Sequence, residues 1–182
     1  MKLPDFSKLK IFTKYRNEEM TPPAELDIVK HPHPALKKIS DFTPPDHDVV
    51  YENLVADRMV QLMLKFDGSK KMKWLGVGLS ASQVGINRRF FVMTPFKKQR
   101  ESNVWYCFRP VMTGHGRDQS SDMEGCLSCP DSYVMVTRWR IIDVEYYDKE
   151  RKLVKKTLKG WEARIFQHEL DHLNGVLCTK KK

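Results

Sequence analysis

The 182-residue sequence has no run of apolar residues long enough to cross a membrane. Its first 25 residues are basic but lack the hydrophobic stretch of a secretory signal. Cysteine is scarce as well, with four residues, which in a chain without such a signal are typical of free thiols in a reducing compartment. These absences predict a cytoplasmic protein without a membrane partner, with an organelle as the alternative setting.

The usual signatures of nucleotide and nucleic-acid binding are also missing. The glycine-rich segment 76–85 has neither the ending of a phosphate-binding loop nor the spacing of a dinucleotide fingerprint. The net charge of +9 is consistent with binding to a polyanion such as the ribosome surface. It is equally consistent with a soluble protein that has a basic tail. We therefore predict no sequence-specific contact with nucleic acid, and ribosome association remains an open alternative. We also expect a monomer.

The length suits one domain, and the periodicity of apolar residues predicts an α+β fold. A helical period extends from Val49 to Phe66, and a polar loop is expected around Gly114 and Gly116. The runs typical of strands are 89–94, 104–111, 133–138, 141–147 and 153–158. Because the strands precede a final helix, we expect antiparallel or mixed sheets packed around that helix. Residues 1–25 are predicted to form an N-terminal arm, and residues 26–182 a single domain.

The final helix carries the strongest chemical signal, the motif His168-Glu169-Leu170-Asp171-His172. Two histidines four residues apart lie on one side of an α-helix, about 6 Å apart along its axis, so that both rings can bind one metal ion. Glu169 is then placed to act on a water molecule bound to that ion. The alternative is an amphipathic helix whose polar face happens to carry two histidines, but the apolar flanks favour the metal site.

A catalytic metal site usually has three protein ligands, and two cysteines could supply the third. Cys178 follows His172 at the position where metzincin proteases carry another histidine, although few residues follow it to hold it in place. Cys126 lies upstream and also forms a C-x-x-C pair with Cys129. That pair lacks the second pair of a zinc knuckle and the following helix of a redox motif. The residues alone leave Cys126 and Cys178 as alternatives.

Three segments together resemble the peptide deformylase family: GVGLSASQ at 76–83, EGCLS at 124–128 and QHELDHLNG at 167–175. They occur in the order of the family and at compatible separations, and the resemblance covers about residues 26–178. It implies a hydrolase that removes the formyl group from the N-terminal formyl-methionine of nascent polypeptides and releases formate. The resemblance also implies a metal cofactor, Fe²⁺, with Zn²⁺, Ni²⁺ or Co²⁺ as possible substitutes.

The resemblance assigns roles to particular residues. Cys126, His168 and His172 would bind the metal, and Glu169 would activate the water bound to it. The side-chain amide of Gln83 and the backbone N–H of Leu127 would stabilise the oxyanion. Glu124 and Arg138 occupy positions that form a supporting ion pair in the family. The residues expected to contact the substrate are Val77, Gly78, Gly125, Trp161 and Ile165.

Two departures from the family pattern bear on the substrate pocket. Asp122 and Arg164 replace residues that are commonly apolar, which puts the preference for methionine in question but not the chemistry. Two other functions remain as alternatives. One is a catalytically idle relative that binds nascent chains or RNA, and the other is a zincin-type endopeptidase that uses Cys178 as a ligand.

Overall fold

The computed structural model describes residues 21–44, 46–65, 76–95 and 103–180, so that residues 1–20 of the predicted arm lie outside the described residues. Its helices are α1 (Val49–Lys65) and α2 (Gly160–Leu173). Its strands are β1 (Gly78–Ser80), β2 (Phe90–Met93), β3 (Trp105–His115), β4 (Gln119–Cys126), β5 (Cys129–Trp139), β6 (Ile141–Tyr147) and β7 (Leu153–Lys159). Short 3-10 helices cover Pro34–Lys37, Ala81–Val84 and Cys178–Lys180. In this described part of the chain, no helix is both long and apolar enough to span a membrane.

The strands of the described residues form two separate sheets. The larger sheet has the order β1-β2-β3-β6-β7, and strands β4 and β5 form a separate two-stranded hairpin. Every strand pairing among the described residues is antiparallel. The α+β prediction is therefore confirmed, in its antiparallel form.

Strand β4 is one of two strands that the apolar pattern missed, the other being the three-residue β1. Residues 119–126 are mostly polar and exposed, with only Glu124 and Cys126 buried, so they lack the alternation that identifies a half-buried strand. They nevertheless pair with β5 along their whole length. The loop predicted around Gly114 is also wrong in part, because β3 continues through Gly114 to His115 and pairs with β6.

Helix α1 packs against the larger sheet through part of its apolar stripe, while Val50 and Leu54 of that stripe are exposed. Val55, Met59 and Met63 are fully buried and pack with Leu79 of β1 and Phe90 of β2. Each such side chain contributes roughly 1.5–3 kcal/mol through removal of its apolar surface from water. This packing holds the beginning of β1 and the residues that follow it in a fixed place.

Helix α2 contacts β1, β2, β6 and β7 of the larger sheet and β5 of the hairpin. Its apolar side chains Ile165, Phe166 and Leu173 are buried among residues of the larger sheet. Gly175 follows the helix with a φ of +71°, and a Cβ atom there would lie 2.6 Å from the carbonyl oxygen of Lys37. Glycine is therefore required where the chain leaves α2, and the helix is held between the two sheets.

Candidate metal centre and active site

Three side chains converge where the end of β4 meets α2. The Sγ atom of Cys126 lies 3.3 Å from Nε2 of His172, and that Nε2 lies 3.2 Å from Nε2 of His168. One possible ligand atom from each of the three residues lies within 4.8 Å of the other two. The structure thus brings together the three residues predicted as metal ligands. It also places Cys178 outside that group of three.

These three residues fit a transition-metal ion such as iron or zinc, which one thiolate and two imidazoles suit equally well. Nδ1 of His168 lies 2.9 Å from Oε2 of Glu124, a contact that makes Nδ1 the protonated nitrogen and leaves the lone pair of Nε2 for a metal. Burial lowers the pKa of His172 well below its ordinary value, so this ring is neutral and able to act as a ligand.

Glu169 lies beside this group and is almost fully buried. Burial raises the pKa of its carboxyl to about 7, which suits a group that both accepts and donates a proton near neutral pH. Among the described residues, its Oε2 atom has no hydrogen-bond partner. A buried polar atom of this kind is expected where a water molecule or an ion completes a site.

Gln83 presents an N–H donor to the same site. The side chain is buried in the 3-10 helix that follows β1, where its Oε1 accepts hydrogen bonds from the backbone N–H and the hydroxyl of Ser80 at 2.9 and 3.1 Å. With its oxygen held in this way, Nε2 faces Sγ of Cys126 at 3.4 Å and Oγ of Ser128 at 3.3 Å. The orientation of the amide therefore follows from the hydrogen bonds around it.

Residues 29–31 support both segments that were predicted to stabilise an oxyanion. The backbone N–H of Val29 donates to the carbonyl of Gln83 at 2.9 Å. Nζ of Lys30 donates to the carbonyl of Leu127 at 2.7 Å, and the N–H of His31 donates to that of Ser128 at 2.9 Å. Sequence reasoning missed this role. The only signal was the following proline, which favours an extended backbone but does not say what that backbone will contact.

The carboxylate of Glu124 lies behind His168 and is bound by two arginines. Arg138 donates from Nε to Oε1 and from Nη2 to Oε2, each at 2.7 Å, which is the pairing that the sequence predicted. Arg164 donates from Nη1 to Oε1, also at 2.7 Å. Burial alone would raise the pKa of Glu124, but hydrogen bonds from Arg138 and His168 hold it well below its usual range. The carboxylate is therefore ionised and fixed.

A pocket opens beside these groups, between the hairpin and α2. Its lining residues are Gly76, Val77, Gly78, Met123, Glu124, Gly125, Cys126, Leu127, Trp161, Arg164, Ile165 and His168. All five residues predicted to contact the substrate are among them. Asp122 is not among them, and its carboxylate instead accepts the backbone N–H of Met123 at 2.8 Å.

The model of the polypeptide deformylase family matches residues 25–182. The chain belongs to this family. The peptide deformylase of Rhodopirellula baltica is 34% identical over 152 residues, which cover 84% of this chain and 70% of that protein. The peptide deformylase of Thermotoga maritima is 38% identical over 132 residues, covering 71% of this chain and 73% of that protein.

Solved structures agree with this membership. The crystal structure of the Thermotoga maritima peptide deformylase has a TM-score of 0.73 and 33% identity, covering 86% of this chain and 97% of that one. A probable peptide deformylase from Synechococcus phage S-SSM7 has a TM-score of 0.76 and 31% identity, covering 87% and 100%. The expectation that the fold is that of a peptide deformylase is confirmed.

In this deformylase-family chain, two further thiols pack beside Cys126. Cys129 is paired with it across the turn between β4 and β5, and Cys178 belongs to the same buried cluster. Hydrogen bonds with Cys129 and Cys178, together with burial, raise the pKa of Cys126 well above its ordinary value. Metal coordination requires this sulfur as the thiolate, which a bound cation would stabilise.

Proposed function

We propose that this protein removes the formyl group from the N-terminal formyl-methionine of nascent polypeptides and releases formate. The supporting observation is the convergence of Cys126, His168 and His172, with Glu169 beside them and a pocket open to them. Membership of the polypeptide deformylase family supports the same reaction, since relatives that cover most of the chain are named peptide deformylase.

In this proposal Cys126, His168 and His172 hold a metal ion, for which we propose Fe²⁺, with Zn²⁺, Ni²⁺ or Co²⁺ as substitutes. When bound, the ion supplies Lewis acidity and lowers the pKa of water in the site. Glu124 keeps His168 in the tautomer that leaves Nε2 free.

The proton transfers belong to Glu169. Its carboxylate accepts a proton from the attacking water and then donates it to the departing amine, a role that its burial beside the ligand group supports. Nε2–H of Gln83 and the backbone N–H of Leu127 donate to the oxygen of the formyl group as negative charge develops on it. Loss of one such donor typically costs about 10²–10³ in kcat.

The pocket takes the methionine side chain in this proposal. Val77, Trp161 and Ile165 provide apolar surface, and the backbone at Gly78 and Gly125 lies at the edge where an extended peptide can pair as an added strand. Arg164 brings no free charge into the pocket, because its guanidinium makes four hydrogen bonds within the protein. The polar replacement at this position is therefore compatible with an apolar substrate side chain.

The location, the assembly state and the arm stay predictions. We propose a cytoplasmic monomer with a single domain over residues 26–182. The position and role of the arm and any ribosome association are not tested by the described residues.

The proposed activity is tested with formyl-Met-Ala-Ser and with acetyl-Met-Ala-Ser as the matched substrate. Protein loaded with iron or nickel is expected to release formate from the first peptide and to leave the second intact. Internal cleavage without formate would favour the endopeptidase alternative. Salt-sensitive RNA binding without any turnover would favour the idle relative, and either result would overturn the proposal.

Gly78→Ala is expected to lower kcat/KM by at least about 10²-fold, since displacement of a catalytic group by about 1 Å can cost this much. A Cβ atom at position 78 would overlap Oε1 of Glu169, so the carboxylate must move. Formate release and metal content are measured together. Gly114→Ala is the control, because the atoms nearest to its Cβ would belong to the side chain of Asp143 on the larger sheet, away from Glu169. Equal rates for Gly78→Ala and the wild-type protein would show that Glu169 needs no such placement.

A further inference from the structure

Arg164 contacts both strands of the hairpin from its position on α2. It lies one helical turn before His168 and is 6% exposed. Its Nη1 donates to Oε1 of Glu124 at 2.7 Å and to the carbonyl of Val136 at 3.0 Å. Its Nη2 donates to the carbonyl of Ser120 at 2.7 Å and to the hydroxyl of the same residue at 3.3 Å. One guanidinium thus connects the helix to two points on β4 and one on β5.

The carboxylate that Arg164 binds is the one that orients His168. Oε1 of Glu124 accepts from Arg138 and Arg164, and Oε2 accepts from Arg138 and contacts Nδ1 of His168. A carboxylate has about four acceptor positions, and all of them are used here. The position of Glu124, and through it the orientation of the imidazole, therefore depends on both arginines.

The group around Glu124 contains two carboxylates and two arginines. Arg138 is shared between Glu124 and Asp171, to which its Nη1 donates at 2.7 Å. Arg164 adds the second positive charge against the two carboxylates. Removal of one member of a buried ion pair leaves an uncompensated charge, which is strongly destabilising locally.

The hairpin depends on side-chain attachments to α2 because no described strand of the five-stranded sheet pairs with it. Among the described residues β4 and β5 pair only with each other, and an isolated hairpin is marginally stable in water. The ion pairs of Arg138 join the hairpin to α2 near Glu124 and Asp171. Gln167 of the same helix hydrogen-bonds the backbone of Trp139 at the end of β5. The contacts of Arg164 with Ser120 and Val136 attach α2 to both strands at other points, which further restricts the angle between the hairpin and the helix.

We propose that Arg164 is a positioning residue of the metal centre. It sets the placement of the hairpin, which carries Cys126, against the helix, which carries His168 and His172, and it does so through Glu124, Ser120 and Val136. The proposal rests on the proposed function for the reaction, but its effect on metal affinity does not depend on which reaction the centre performs.

Metal affinity is the decisive measurement, made by chelator competition for Zn²⁺ and by the absorption spectrum of the Co²⁺ form. Arg164→Met removes the charge and the hydrogen bonds, and Arg164→Lys keeps the charge without the planar fork. We expect metal affinity to fall about 10–100-fold in Arg164→Met and by a smaller factor in Arg164→Lys, with an altered Co²⁺ spectrum in both. Arg140→Met, an exposed arginine between β5 and β6, is the control and is expected to match the wild-type protein.

The outcomes separate positioning from other roles. An Arg164→Met protein with wild-type metal affinity and a wild-type Co²⁺ spectrum would overturn the proposal. A raised KM for formyl-Met-Ala-Ser with unchanged metal affinity would also overturn it, because Arg164 would then act only as a pocket residue. If Arg164→Met fails to fold, Arg164→Lys decides by the same two measurements. Metal affinity and the Co²⁺ spectrum are measured without the formyl substrate. An inactive wild-type protein would therefore contradict the proposed function but leave the role of Arg164 in metal binding unaffected.

Discussion

Glu169→Gln is expected to lower formate release by about 10³-fold or more while the protein keeps its metal. The amide has nearly the same shape as the carboxyl group but cannot accept a proton from water, and the buried carboxylate lies beside Cys126, His168 and His172. The measurement is kcat/KM on formyl-Met-Ala-Ser, with metal content determined on the same sample.

Glu162→Gln is the matched control for this substitution. Glu162 lies in the first turn of the same helix and outside the pocket lining, so its replacement is expected to leave the rate unchanged. A Glu169→Gln protein that retains the wild-type rate would remove the carboxylate from the mechanism. Equal losses in both variants would point to a general effect on α2.

Cys126→Ala is expected to abolish metal binding, whereas Cys178→Ala is expected to retain close to one ion per chain. Sγ of Cys126 belongs to the group of three that lies within 4.8 Å, and Cys178 packs beside it without belonging to that group. Loss of one of three ligands removes much of the coordination free energy, while loss of a neighbouring thiol leaves all three in place.

Elemental analysis after anaerobic purification measures both variants and also identifies the resident metal. Cys107→Ala is the control, since this buried thiol packs in a different core cluster, among residues of the larger sheet and α2. The reverse pattern, with metal retained in Cys126→Ala and lost in Cys178→Ala, would favour the zincin-type endopeptidase and overturn the proposed centre.

The parts of the site that depend on local geometry could be predicted from the sequence. The separation of His168 and His172 fixes them on one helix face whatever the rest of the fold does, and the left-handed Gly175 that follows is typical of a helix end. The third ligand could not be chosen from the residues alone, because Cys126 and Cys178 are both thiols. In the structure both thiols belong to the same buried cluster, so each lies close to the centre.

The parts that depend on partners distant in sequence could not be predicted. Strand β4 has little apolar surface of its own, and only its pairing with β5 makes it a strand. Arg164 illustrates the same limit for a single side chain. Its residue type suggested a free charge in the pocket, but its partners Val136 and Ser120, which are 28 and 44 positions away, bind that charge within the protein.

The hydrogen bonds from residues 29–31 to Gln83 and to the turn at Leu127 have a consequence for a chain that is still being synthesised. The centre draws on residue 29 near one end of the chain and on His172 near the other, with its remaining groups between them. A polypeptide that has only partly emerged from the ribosome therefore holds no complete centre. With the proposed function, any formyl group on such a growing copy would have to be removed by a molecule that has already finished folding.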